Sequence, residues 1–189
     1  MNIPNTLTIA RLFMVPCFVL CFVKGSDQTL QYGVLYAAGL FVLAALTDIL
    51  DGYIARKYNQ ITDFGKLADP LADKMMQIAA IACLAIYERI SSWIFYVFLV
   101  KELLLLFGGA RLLKRFKFVV YSKWSGKIAT VILFICIVVI MISPGISKGT
   151  ATIMMTVCIV FTLVALFNYL QMYINVKENR LQKIETVEE

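Results

Sequence analysis

Six apolar segments constrain this chain more than anything else in it. They run over residues 7–23, 31–54, 67–87, 91–113, 124–142 and 150–174, and each is near the roughly 20 residues that a helix needs to cross a bilayer. A chain of 189 residues that is 61% hydrophobic and 16% charged cannot hide so much apolar surface in a soluble core, so its solvent is lipid. The predicted fold class is an all-α integral membrane protein with six transmembrane helices. It forms one membrane domain over residues 1–176, followed by a polar tail over residues 177–189. The tail is mixed in charge and poor in apolar residues, and is expected to be a frayed helix or disordered. No internal repeat or low-complexity segment is visible.

Charge orients the segments. The connectors 24–30, 88–90 and 143–149 hold only Lys24, Arg89 and Lys148 as cations. The opposite connectors and the tail hold Arg56, Lys57, Lys66, Lys114, Arg115, Lys117, Lys123, Lys127, Lys177, Arg180 and Lys183. By the positive-inside rule both termini are predicted to be cytoplasmic. The net charge of +6 then reads as contact with anionic lipid or phosphorylated substrates, not nucleic acid, because the cations flank membrane segments. Tyr32, Tyr36, Trp93, Tyr96, Tyr121, Trp124, Tyr169 and Tyr173 fall near segment ends and suit an aromatic belt. Gly108 and Gly109 permit close helix packing. Cys17, Cys21, Cys83, Cys136 and Cys158 all sit in apolar runs without metal-ligand spacing and read as small buried hydrophobes. The opening residues lack positive charge and a small-residue cleavage site, so no cleaved signal peptide is expected. Asn5 or Thr6 is the predicted cap of a first helix beginning near Leu7.

Against this background the acids are concentrated. Asp48 and Asp51 are three positions apart and Asp69 and Asp73 four apart, so each pair projects from one face of its own helix. The positive-inside orientation puts all four near the cytoplasmic face. Unpaired carboxylates at the end of an apolar segment repel one another, and divalent cations relieve that repulsion. Oxygen ligands with no His or Cys nearby favour Mg²⁺ or Mn²⁺ over zinc. Gly52 removes a side chain where a ligand or neighbouring helix must approach, and Arg56 one turn on can pair with phosphate oxygens. The plainer alternative makes the acids solvated helix ends or partners of Arg56, Lys57, Lys66 and Lys74. Asp69, Pro70 and Asp73 are expected near the start of the third helix, where Pro suits a first turn and an anion gains from the helix dipole. Asp63 reads as a solvated connector residue. Lys101 and Glu102 interrupt the fourth apolar run, where charges are costly unless paired, and as chain neighbours they are expected to have separate partners. Arg111 at the end of that run, and Lys127 with Gly126 opening the next, suit either a headgroup-binding collar or a phosphate.

Asp48, Asp51, Gly52, Ala55, Arg56, Gly65, Asp69 and Asp73 together resemble the signature of the CDP-alcohol phosphatidyltransferases, D-x-x-D-G-x-x-A-R, eight residues, G-x-x-x-D-x-x-x-D, at every fixed position. The opening run from Asn2 to Thr8, with Arg11, resembles the N-terminus of the branch of that family that makes phosphatidylglycerophosphate or cardiolipin. Relatives in the first group carry Arg-Glu near the fourth run, so Lys101-Glu102 is a departure. The resemblance implies a six-helix fold in which a CDP-linked lipid enters sideways and a dinuclear Mg²⁺ or Mn²⁺ site grips its pyrophosphate. Asp48, Asp51, Asp69 and Asp73 would be the metal ligands. Asp48, Gly52, Ala55, Arg56, Gly65 and Asp69 would line the CDP site, and Asp73 would also be the general base. It shifts Arg111 and Lys127 toward an acceptor-phosphate pocket. The activity implied is transfer of the phosphatidyl group of CDP-diacylglycerol to sn-glycerol 3-phosphate. A cardiolipin synthase using phosphatidylglycerol is the alternative, and a homodimer is implied by the same likeness. A divalent-cation transporter would instead place polar groups near the bilayer midplane along a path, often with repeats.

Overall fold

The structure, a computed structural model, describes residues 3–57, 63–116, 124–164 and 167, with side chains described for 6–54, 57, 71–105, 128–164 and 167. Every regular element among them is helical: α1 (Ile3–Ser26), α2 (Gly33–Lys57), α3 (Asp63–Ile86), α4 (Ser92–Phe116) and α5 (Trp124–Ile142), then α6 (Lys148–Val164). Thr6–Ser26 and Gly33–Ile54 are long and apolar enough to cross a membrane, and only about a quarter of the residues in each are buried inside the bundle. A soluble core helix would bury most of its apolar face. Here Phe13, Leu35, Ile49, Ile86 and Ile153 point outward at more than half exposure, as expected of a surface solvated by lipid chains.

α1 and α2 form an antiparallel hairpin closed by two glycines. A Cβ on Gly33 would lie 2.7 Å from the Cys21 carbonyl oxygen, and one on Gly25 would run into the Val34 amide, so backbone packs on backbone there. Lower in the hairpin Phe18 meets Phe41 at 6.0 Å between ring centroids, and Phe41 stacks on Phe134 of α5 at 4.8 Å. α3 packs on both α1 and α2, with Tyr87 edge-on to Phe22. α6 joins through α5 by a 3.3 Å contact of the Cys158 and Cys136 sulfurs. It joins the start of α4 through the Ser91 amide, which donates to Thr152 Oγ1 at 3.1 Å. Arg89 closes the same end, donating to the Ile140 and Ser143 carbonyl oxygens at 2.9 Å each, which satisfies carbonyls at the end of α5 that have no helical partner.

Three sequence expectations need correction. α1 starts at Ile3, not near Leu7, because Pro4 with its fixed φ is suited to a first helical turn and does not delay it. α3 starts at Asp63, so Asp63 belongs to a helix, Pro70 falls inside it, and Asp69 and Asp73 lie beyond the first turn where the dipole acts. Of the cysteines, Cys83 and Cys158 are buried but Cys17 is exposed on the outer face of α1. Of the aromatic residues expected near segment ends, Tyr32, Tyr36, Trp93 and Tyr96 are all exposed. Tyr121, Tyr169, Tyr173 and the tail over 177–189 lie outside the described residues, as do the side chains of Trp124 and the packing of Gly108 and Gly109.

Candidate active site at the ends of α2 and α3

The antiparallel hairpin brings the early part of α1 beside the late part of α2, and with it a cation to the acids. Arg11 is 1% exposed and its guanidinium forks: Nη1 donates to Asp48 Oδ1 at 2.7 Å and Nη2 to Asp51 Oδ2. The three-residue spacing on α2 puts both carboxylates on the face toward α1, and one planar guanidinium spans them. The two acids differ in access. The Asp48 side chain is 42% exposed and that of Asp51 is 3% exposed, so solvent or a ligand reaches Asp48 while Asp51 depends on protein groups.

Asp73 comes from α3 to the same place. Gln77, one turn on, donates from Nε2 to Asp73 Oδ2 at 3.2 Å. A narrow cleft is lined by Arg11, Asp73, Gln77, Ala44, Met76 and Phe134, and Asp73 is within electrostatic reach of Asp48, Arg11, Lys74 and Glu102. Asp73 therefore lies near the Arg11-bridged pair of Asp48 and Asp51, in a cleft that Arg11 also lines. Among the described residues no three acids, cysteines or histidines close into a ready cation cage; Arg11 stands between Asp48 and Asp51 and neutralises part of their charge. Gly52 sits on α2 beside Asp51. The side chains of Ala55, Arg56, Gly65, Asp69, Arg111 and Lys127 lie outside the described residues.

A second ionic cluster flanks the first. Glu102 of α4 is 1% exposed, with Lys74 Nζ at 3.0 Å and Lys101 Nζ at 2.5 Å from its two oxygens. The expectation of separate partners for Lys101 and Glu102 is thus corrected: the four-carbon lysine stem is long enough to fold back across α4. Its ammonium also lies 4.8 Å from the centre of the Phe98 ring, a cation–π contact. Neither Glu102 oxygen has a hydrogen bond of good geometry, so the cluster is held by charge more than by alignment. Lys74 is thus paired with Glu102 of the neighbouring helix while still acting on Asp73 through its charge. Lys57 lies over the Tyr53 ring at 5.5 Å.

Sequence reasoning placed Arg11 only in an N-terminal pattern and overlooked Gln77. Both left signals. An arginine inside an apolar segment needs a partner, the acids of the next segment were the available ones, and Gln77 stands four residues after Asp73 on one helix face.

The family model described as CDP-alcohol phosphatidyltransferase matches residues 1–164. The chain is 51% identical over 75 residues to a Rickettsia felis protein named CDP-diacylglycerol–glycerol-3-phosphate 3-phosphatidyltransferase, a stretch that covers 40% of this chain and 39% of that relative. Relatives with the same name are 36% identical over 109 residues in Bacillus subtilis, covering 53% of this chain and 56% of the relative, and 34% identical over 178 residues in Sodalis glossinidius, covering 90% and 93%. Against the Rickettsia proteins the chain thus spans about two-fifths of their length, whereas the Sodalis protein is matched almost end to end. With its aspartate signature gathered at one end of a helical bundle and the family model running through α6, this chain belongs to the CDP-alcohol phosphatidyltransferase family.

Proposed function

We propose that the protein transfers the phosphatidyl group of CDP-diacylglycerol to sn-glycerol 3-phosphate, giving phosphatidylglycerophosphate and CMP. The observation that carries this reading is the pairing of Asp48 and Asp51 on Arg11, which lines the same cleft as Asp73, in a chain whose relatives bear the name of that reaction. All six helices are taken to span the membrane, with both termini and the aspartate end facing the cytoplasm, where glycerol 3-phosphate and nucleotides are found. The Lys and Arg asymmetry of the connectors supports that orientation.

The donor set suits a hard divalent cation. The oxygen donors that line the cleft are the Asp73 carboxylate and the Gln77 amide, the chain contains no His, and one guanidinium does not balance three carboxylates. Asp48, Asp51 and Asp73, joined by Asp69, would hold Mg²⁺ or Mn²⁺, which neutralises pyrophosphate charge and stabilises the departing CMP. The chain's own part is proton handling and positioning. Gln77 engages Asp73 Oδ2, so Oδ1 is the natural acceptor for the proton of the glycerol 3-phosphate hydroxyl. That hydroxyl oxygen forms a bond to the phosphorus carrying diacylglycerol as the bond from that phosphorus to the CMP oxygen breaks. Arg111 and Lys127 are the proposed contacts for the acceptor's own phosphate.

The test is product identification. Purified protein in detergent, given CDP-diacylglycerol and Mn²⁺ or Mg²⁺, is offered glycerol 3-phosphate or phosphatidylglycerol, and the lipid product is read by mass spectrometry. Phosphatidylglycerophosphate with the first acceptor is the expected result. Cardiolipin with the second and no product with the first would make the chain a cardiolipin synthase, and no CMP release with any alcohol would remove the transferase reading.

A further inference from the structure

The proposed reaction needs the acids but does not by itself call for Arg11. Yet Arg11 is the largest charged side chain sealed into the bundle among the described residues, at 1% exposure, on a helix that carries no acidic residue of its own. Its guanidinium takes one oxygen from each of Asp48 and Asp51 and lines the cleft that also contains Asp73. Its Nε has no hydrogen-bond partner, so both of its described bonds go to this acid pair. We propose that Arg11 is a positioning residue for the metal site: its fork fixes the side-chain rotamers of Asp48 and Asp51 relative to each other, so that the pair presents a set geometry to a divalent cation.

The two acids have unequal need of such a clamp. Asp48 is open enough for water to orient it, but Asp51 is not. Both carboxylates sit on one helix, so α2 alone fixes their spacing but not their rotation about the side-chain bonds. A rigid fork with two parallel donors supplies what is missing. A lysine would bring the charge without the fork, and a glutamine donors on one nitrogen only, without the charge. Charge balance agrees: one guanidinium against the carboxylates of Asp48, Asp51 and Asp73 leaves this group of side chains net negative. Because Arg11 belongs to α1, seating of the first helix and assembly of the site become one event.

This inference rests on the metal reading above, and its test separates the two. Mn²⁺ binding to the detergent-purified protein, without lipid substrate, is measured by the electron paramagnetic resonance signal of unbound Mn²⁺, alongside thermal unfolding. Wild type should bind Mn²⁺. Arg11→Gln should raise the half-saturating concentration by roughly 10-fold or more, the usual scale for losing a group that orients metal ligands, with Arg11→Lys falling between. Arg89→Gln, which removes a helix-binding arginine at the far end, should lower the unfolding temperature and leave Mn²⁺ binding unchanged. If Arg11→Gln unfolds more easily but binds Mn²⁺ as wild type does, Arg11 only packs α1 and the inference is overturned. Tighter binding would make Arg11 a competitor of the metal and overturn it equally. If Arg11→Gln does not fold, Arg11→Lys carries the comparison by the same criteria. No Mn²⁺ binding by wild type would remove the metal reading itself.

Discussion

Replacing Glu102 by Gln leaves two ammonium groups facing each other in the bundle with no anion between them. The Glu102 oxygens are 3.0 Å from Lys74 and 2.5 Å from Lys101. At an effective dielectric constant of about 20, each contact is worth roughly 6 kcal/mol of gross attraction. Most of that offsets the desolvation of three charges, and breaking such a buried pair by removing one partner costs about 3–5 kcal/mol net. Lys101 is 5% exposed and bears the loss, whereas Lys74 is 24% exposed and can turn toward water, which puts the cost near the low end, about 3 kcal/mol. For a chain of this size that corresponds to a fall of roughly 6–12 °C in unfolding temperature, read by intrinsic fluorescence in detergent. Adding Lys101→Met to Glu102→Gln should recover at least half of the loss, since the stranded charge is then gone and the methionine fits an apolar site. Glu102→Gln unfolding within about 1 kcal/mol of wild type, or a double variant that adds a further loss, would refute the claim that this cluster is a mutually dependent unit.

Other substitutions probe the frame around the site. Gly33→Val puts a branched side chain against the Cys21 carbonyl and should cost about 1–3 kcal/mol through overpacking, lowering both the unfolding temperature and Mn²⁺ binding if α1 carries Arg11 away with it; a neutral result would mean the hairpin is not closely packed. Phe41→Ala removes a ring that is 2% exposed and stacked on Phe134. The expected cost is about 3 kcal/mol, at the low end of the core range because in lipid the loss is of packing rather than of water exclusion, and thermal unfolding checks it. Gln77→Leu should lower the turnover rate with little change in unfolding temperature, because its bond orients Asp73; an unchanged rate would show that Asp73 needs no such support.

What the sequence made legible follows from periodicity and spacing. Apolar runs of spanning length gave the helices and their connectors, and a three-residue spacing put Asp48 with Asp51 on one helix face. These are local properties, carried by residues within a turn or two of each other. The pairing of Arg11 with acids 37 and 40 residues away is not local: it depends on how α1 and α2 cross, which the Gly25–Gly33 contact fixes and no periodicity encodes. The Lys101–Glu102 contact misled for the opposite reason. Backbone geometry separates neighbouring residues around a helix, but a long flexible lysine stem defeats that rule. The starts of α1 and α3 were misplaced because polar residues next to Pro4, and Asp63 itself, suit a first helical turn as well as they suit a connector.

Chemistry at the aspartate end can be tested directly. Two carboxylates at opposite ends of the bundle provide the comparison: Asp73, held by Gln77 in the cleft, and Asp27, held by the Tyr87 hydroxyl at 3.0 Å beyond the far end of α1. The measurement is CMP release from CDP-diacylglycerol with glycerol 3-phosphate and Mn²⁺, comparing Asp73→Asn with Asp27→Asn in protein that elutes as wild type does. Loss of at least 100-fold in the first variant, on the scale of a missing general base, with near wild-type release in the second is the predicted result. Undiminished release by Asp73→Asn would contradict the assignment of the reaction to this cleft.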